Sequence, residues 1–352
     1  MQKATEILRG DTPGTSWSLS VLRFQGASRA APTAYLQAAL HGDELPGVAT
    51  LHYLIPQLAR AEQEGRLLGD VTVVPYANPM ALAQHLFAEH LGRFNFGSRT
   101  NYNREFPLLT APDTAALPAD SAPLPAEVRL KARLLKLSVG HDIVLDLHCD
   151  DEALPYLYVA RQLWPQASDL AACLDAAAVL LWDGTAAAAF EEASFAAYIG
   201  GEASPAEAGS RVVATVELRG RADVSPRLAQ ADARGLYRFL VGRGVITDAG
   251  TGPAPAFAGV AAPLEHVEML RATASGAVLY HVVPGNHVRE GDPLVTILTA
   301  PGEEGGAVVL TAPQDGLILT RRARRLIRLG DDLLKLVGGR PSPSARPGTL
   351  EN

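Results

Sequence analysis

Cysteine is nearly missing from this sequence: Cys149 and Cys173 are the only two among 352 residues. That excludes a disulfide framework and a Cys-x-x-Cys zinc knuckle, and it fits a reducing cytoplasm. Long apolar runs are missing as well. No stretch approaches the ~18 consecutive apolar residues that suggest a membrane span, and Met1 to Gly10 lacks the apolar core of a signal peptide. Positive charge is scarce, with a formal net charge of −7 at pH 7. The densest basic run, Arg321, Arg322, Arg324, Arg325 and Arg328, is short and local, which opposes a broad phosphate-tracking surface. These absences predict a cytoplasmic protein with neither a nucleic-acid nor a membrane partner. They leave a homo-oligomer open.

What is present is a large apolar content, 47% of the chain, enough to bury one large core or two smaller ones. Four apolar runs, Ala34 to Leu40, Val71 to Tyr76, Ile143 to Leu147 and Val212 to Val216, end on polar residues or a turn signal and read as buried strands. Gly47 to Glu62 and Ala126 to Leu137 carry apolar residues at helical spacing. Strands alternating with helices predict an α/β layer architecture with a parallel or mixed sheet over residues 1–250. The Gly-, Pro- and Ala-rich stretch Thr251 to Pro263 reads as a linker into a β-rich domain over 251–340. A Pro/Ser-rich tail at 341–352 is expected to be disordered.

The β-rich part carries an internal echo. Gly276-Ala-Val-Leu leading to Val288-Arg-Glu-Gly-Asp-Pro-Leu294 is repeated by Gly316-Leu-Ile-Leu leading to Ile327-Arg-Leu-Gly-Asp-Asp-Leu333. With Ala312-Pro-Gln-Asp-Gly316 between its halves, the repeat resembles the biotinyl/lipoyl barrel-sandwich domain over roughly Pro263 to Val337. Carrier domains of that type present a lysine just before the Ala-Pro-x-Asp-Gly turn. Leu298 to Thr311 contains none, so the all-β module is read as structural.

The chemistry concentrates at strand ends. His41-Gly-Asp-Glu44 follows the first run and offers an imidazole and a carboxylate three residues apart, ligand types suited to zinc. By itself such a pair is common in surface turns. Val144-Leu-Asp-Leu-His148 ends another run on a second histidine, and Glu217 closes a third. In open α/β sheets, residues far apart in sequence converge outside the carboxyl ends of the strands. Two histidines and one glutamate leave a fourth position for water, the arrangement of a catalytic zinc site, where zinc brings the water's pKa near neutrality. Glu217 is then the candidate to take the water's proton and deliver it to the departing nitrogen. Asn103 beside Arg104 offers an amide and a planar guanidinium fork to a substrate carboxylate. Cys149 has no base beside it other than the metal site, which disfavours a nucleophilic thiolate. The seven remaining histidines, His52, His85, His90, His141, His266, His281 and His287, read as structural or surface residues.

In order along the chain, His41-Gly-Asp-Glu44, Asn78-Pro79, Asn103-Arg104 before Phe106-Pro107, Asp146-Leu-His148 and Glu217-Leu-Arg-Gly220 resemble the succinylglutamate desuccinylase/aspartoacylase family, relatives of the zinc carboxypeptidases. The resemblance spans about Leu40 to Ser225. It implies a zinc-carboxypeptidase-like three-layer α/β/α domain and one zinc per chain held by His41, Glu44 and His148. It further implies Glu217 as the acid/base, and Asn103 and Arg104 on the carboxylate of a small N-acyl amino acid whose amide bond is hydrolysed. The family also uses an arginine upstream of its Asn-Arg pair to polarise the scissile carbonyl; of Arg93 and Arg99, Arg93 is favoured. Asp43 stands where the common motif has Asn, and Asn101-Tyr replaces Asp-Leu; neither change removes a ligand.

Cys149-Asp150-Asp151-Glu152 directly follows His148, suggesting negative charge at the pocket mouth and a preference for cationic or amino-bearing substrates; a solvated acidic loop is the plainer reading. Two other functions remain in competition. A metallocarboxypeptidase for short peptides needs an open cleft, and a non-catalytic scaffold or carrier predicts protein without stoichiometric zinc.

Overall fold

The structure, a computed structural model, describes residues 1–184, 187–199 and 210–343. The chain opens with a hairpin, β1 (Gln2–Arg9) and β2 (Ser16–Phe24), whose alternating polar content leaves no continuous apolar run. The four expected strands follow as β3 (Ala34–Ala38), β4 (Val71–Val74), β7 (Ile143–Asp150) and β11 (Val212–Gly220). Between them lie α1 (Pro46–Gln63), the short α2 (Pro79–Leu82), the small hairpin of β5 (His85–Leu86) and β6 (Glu89–His90), and α3 (Ala126–Ser138). After β7 come β8 (Glu152–Ala153), β9 (Tyr156–Ala160), α4 (Ser168–Cys173), β10 (Ala178–Trp182) and α5 (Phe190–Ile199). α6 (Pro226–Gly242) and β12 (Val260–Pro263) complete this part.

Among the described residues, nine strands form one mixed sheet in the order β1-β2-β4-β3-β7-β11-β9-β10-β12. β4, β3, β7 and β11 run parallel, and β9 turns antiparallel against β11. Helices cover both faces, α1 with α6 on one and α3 with α5 on the other. Central strands covered on both faces have no solvent side, so β3 and β4 are buried at every residue and read as apolar runs interrupted only by the buried Gln37 and Thr72. α1 starts on Pro46, whose missing N–H costs nothing at the first helical position. Its Gly47 lets the helix lie directly on β7, because a Cβ there would stand 2.7 Å from that of Leu147.

The C-terminal part holds β13 (Val267–Arg271), β14 (Gly276–Tyr280), β15 (His287–Val288), β16 (Pro293–Leu298), β17 (Ala307–Thr311), β18 (Gly316–Arg321), β19 (Leu326–Ile327) and β20 (Asp332–Gly338). The sequence echo is visible in phase: β14, β15 and β16 recur as β18, β19 and β20. These strands form two small sheets over their own core, which includes Leu294, Ile297, Ile318, Leu333 and Leu336.

The two parts interlock more than a linker suggests. The last four residues of the stretch read as a linker become β12, pairing with β10 at the edge of the large sheet. In return β8, from the first part, pairs with β18 of the second. Of the tail expected at 341–352, Ser342 is buried and its hydroxyl donates to Glu268; from residue 344 the tail lies outside the described residues. No helix among the described residues is long and apolar enough to cross a membrane.

Candidate metal centre and pocket

β3 ends at Ala38, and Ala39 adopts a φ of 57°, a costly conformation for a residue with a side chain. The turn that follows carries His41 and Glu44, 3% and 1% exposed, toward His148 on β7. Gly42 is required by crowding: a Cβ there would stand 2.5 Å from the backbone carbon of Ala81. Asn78 fastens the same turn, its Nδ2 donating to the Leu40 carbonyl while its Oδ1 caps α2 at Ala81. His41 Nδ1 lies 2.8 Å from Glu44 Oε1, and His148 Nδ1 lies 2.7 Å from Glu44 Oε2. One ligand atom from each of the three falls within 4.8 Å of the others.

The outer partners fix which imidazole nitrogen faces inward. Asn101 Oδ1 accepts from the Asn103 N–H, so it is an oxygen, and His41 must donate to it through Nε2–H at 2.8 Å. Asp146 Oδ2 accepts from His148 Nε2–H at 2.8 Å in the same way. In its neutral form each ring therefore turns its Nδ1 lone pair toward Glu44, although against burial the Asp146 and Glu44 charges hold the His148 imidazole well above its usual range. Two lone pairs and a carboxylate in contact repel unless protons or a cation stand among them, and the donor set suits zinc. Neither Asn101 nor Asp146 was assigned this role from sequence. Asp146 had a signal, since it lies two residues before His148 on the same strand face.

Glu217 sits one strand over, in register with His148 on β7 and with Tyr156 on β9. A bulge follows it, with Arg219 at a φ of 62°. Glu217 borders the pocket, and its Oε2 meets no hydrogen-bond partner among the described residues. Burial, reinforced by the Glu44 charge, pushes its carboxyl up to about 8. Free glutamate loses its proton near 4.3. Between those values the native state keeps a proton that the unfolded chain has released, so native stability falls as pH rises through the interval. Glu217→Gln removes the titration. In metal-free protein, urea denaturation is expected to show the variant matching wild type near pH 4 and exceeding it increasingly toward pH 8, by at most about 1.4 kcal/mol per pH unit.

The pocket holds about 420 Å³. His41, His148 and Glu217 border it together with Arg93, Asn103 and Arg104. Arg93 Nη1 lies 3.5 Å from Glu44 Oε1, whereas Arg99 is exposed and outside the lining. Asn103 Oδ1 accepts from the Phe190 N–H at the start of α5, and Arg104 Nη1 donates to the Asn103 carbonyl. Cys149 lies beside Glu44, but burial, with the Glu44 and Glu217 charges, drives its thiol well above the usual range and disfavours a thiolate.

The acidic run after His148 is neither a solvated loop nor free charge at the pocket mouth. Asp150 takes Lys335 at 2.6 Å, Asp151 takes Arg221 at 3.1 Å and Arg322 at 3.2 Å, and Glu152 takes Arg321 and, at 2.8 Å, Arg325. Four of these five partners belong to the C-terminal strands and turns. The run is the seat of the β-rich part. Lys335, 2% exposed, also donates to Tyr156 Oη at 2.9 Å beside Glu217.

A buried His–Glu–His group at the carboxyl edge of a mixed α/β sheet, facing a pocket lined by asparagine and arginine, defines the class: an α/β protein with a candidate metal centre. A sequence model of the succinylglutamate desuccinylase/aspartoacylase catalytic domain matches residues 30–243, and the chain belongs to this family of deacylases. Among solved structures, a family member from Shewanella amazonensis superposes with a TM-score of 0.83 at 27% identity, covering 96% of this chain and 98% of its own. Another from Shewanella frigidimarina gives 0.81 at 24%, covering 97% and 99%. A succinylglutamate desuccinylase from Silicibacter shares the fold at 0.70 and 19%, covering 95% and 92%. A comparison with curated protein sequences returned no match.

Proposed function

We propose that the protein is a zinc-dependent deacylase that hydrolyses the amide bond of a small N-acyl amino acid. The observation that carries this reading is the buried His41–Glu44–His148 group, in which Asn101 and Asp146 take the outer Nε2–H of the two rings so that each Nδ1 faces Glu44. His41, Glu44 and His148 would hold one zinc ion, leaving a position open to the pocket. Zinc there supplies Lewis acidity and makes water nucleophilic at neutral pH. Glu217 accepts the water's proton at its carboxylate and returns it to the leaving nitrogen. Arg93 faces the substrate carbonyl with its guanidinium, stabilising the negative charge that develops on oxygen. Asn103 and Arg104 hold the substrate carboxylate, Arg104 being oriented by its bond to the Asn103 carbonyl.

The C-terminal strands act, in this reading, as a barrel-sandwich wall rather than a carrier. Thr320 to Arg322 and Leu333 to Lys335 line the pocket, which favours small substrates over an extended peptide and places the carboxypeptidase reading second. Metal analysis combined with an amine-release screen of N-acetyl, N-succinyl and N-formyl amino acids tests the proposal. One zinc per chain and release from at least one class is the expected result. Protein purified without zinc and inactive after zinc addition would favour the scaffold reading.

A further inference from the structure

The turn that carries His41 and Glu44 is fastened from outside at its backbone and at one side chain. Asn78 Nδ2 donates to the Leu40 carbonyl, and the Gly42 N–H donates to the Gly92 carbonyl at 2.9 Å. The side-chain contact is Asp43, whose Oδ2 accepts from Arg221 Nη1 at 2.6 Å. Arg221 is the first residue past β11, four after Glu217, and its Nη2 lies 3.1 Å from Asp151. The exit of β11 is locked to the same aspartate through the main chain. The Arg221 N–H donates to the Asp151 carbonyl at 3.1 Å, and a Cβ on Gly220 would stand 2.6 Å from that oxygen. Asp151 in turn takes Arg322 of the β-rich part at 3.2 Å.

Asp43, Arg221, Asp151 and Arg322 thus form a chain of alternating charge from the metal turn to the C-terminal strands. We infer that Arg221 is a positioning residue for the metal centre: by bridging Asp43 and Asp151 it holds the turn where His41 and Glu44 meet His148. This rests on the metal-centre reading of the proposed function and adds to it a residue that hydrogen-bonds to none of the three ligands. A guanidinium suits the task, because its planar fork presents two nitrogens to two separate carboxylates in fixed geometry, which a lysine ammonium on a flexible stem does not. Asp43, standing where the common motif has asparagine, makes the contact an ion pair. Without Arg221 the two aspartates remain as like charges, and their repulsion pushes the turn away from the seat.

The sign of the effect separates positioning from charge. A cation beside the ligands of a dication opposes binding by Coulomb repulsion, so removing the Arg221 charge alone would tighten zinc. Loss of the bridge predicts the reverse. A second rival is a substrate contact, since Arg221 also lines the pocket. That role would show in KM and leave the metal untouched.

The test measures zinc affinity by chelator competition in full-length wild type, Arg221→Met, Asp43→Ala and the double variant. Each single substitution is expected to weaken zinc about 10-fold, the scale on which residues supporting metal ligands act. The double variant is expected to lose about the same factor as one single variant, because both cut one contact. Arg243→Met, which breaks the partly buried Arg243–Asp169 pair between α6 and α4, controls for general destabilisation and is expected to bind zinc as wild type does. Unchanged or tighter zinc in Arg221→Met, multiplied losses in the double variant, or an equal loss in Arg243→Met overturns the inference. So does a raised KM with zinc affinity intact. Hydrogen exchange of the amides at 40–45 in metal-free protein separates the two levels, and faster exchange in Arg221→Met than in wild type or Arg243→Met is expected. Wild type that takes no zinc yet shows this difference removes the metal reading and keeps the clamp; no difference removes the clamp whatever metal is bound.

Discussion

Glu217→Gln is expected to lower kcat/KM by about 10²–10⁴-fold while purified protein keeps one metal ion per chain. The substitution preserves volume and one carbonyl oxygen and removes only the capacity to take a proton. Glu217 touches none of the three ligand side chains through a hydrogen bond; it stands across from His148 on the neighbouring strand and borders the cavity. Because its proton transfers belong to the transition state, kcat and kcat/KM should fall together with KM little changed. Steady-state kinetics beside metal analysis of the same preparation checks both halves. Turnover within a few-fold of wild type would remove Glu217 from the chemistry, and loss of metal would make it a ligand.

The opposite pattern is expected of Glu44→Ala: metal goes, and activity goes with it. Glu44 is the carboxylate between the two imidazoles, and each of its oxygens meets one Nδ1. If it supplies a third of a binding free energy on the order of 10 kcal/mol, its loss weakens the ion by about 3 kcal/mol, on the order of 10²-fold or more. The two bare lone pairs then face each other with no carboxylate between them, so excess zinc should restore little turnover. Chelator competition gives the affinity directly. Wild-type affinity in this variant would place the ion elsewhere in the chain.

The four residues at the strand ends were legible because a period-independent apolar run predicts a doubly covered strand, and a covered strand puts its terminal residue at the sheet edge. β3, β7 and β11 follow that logic approximately: His41 lies just past the end of β3, and His148 and Glu217 lie shortly before the ends of β7 and β11. The hairpin of β1 and β2 was not legible, since an edge strand needs only one apolar face. Asn101 was noticed as a deviation from a motif, yet its part in orienting His41 depends on a hydrogen bond from Asn103 that spacing does not announce. The acidic residues Asp150 to Glu152 were visible as charge but not as pairs. Their partners lie some 170 or more residues onward for Glu152 with Arg321 and Arg325, and Lys335 is farther still.

The exchange of β8 for β12 makes the C-terminal strands a poor candidate for separate existence. Shortening the chain at residue 250 would strip β12 from one sheet and the β8 partner from the other, baring main-chain edges that invite pairing between molecules. It would also strand Asp150, Asp151 and Glu152 beside the metal centre without four of their five basic partners. For protein engineering the consequence is practical. Swapping the β-rich part between relatives to alter substrate range requires moving the acidic seat and its arginines together, as one cassette.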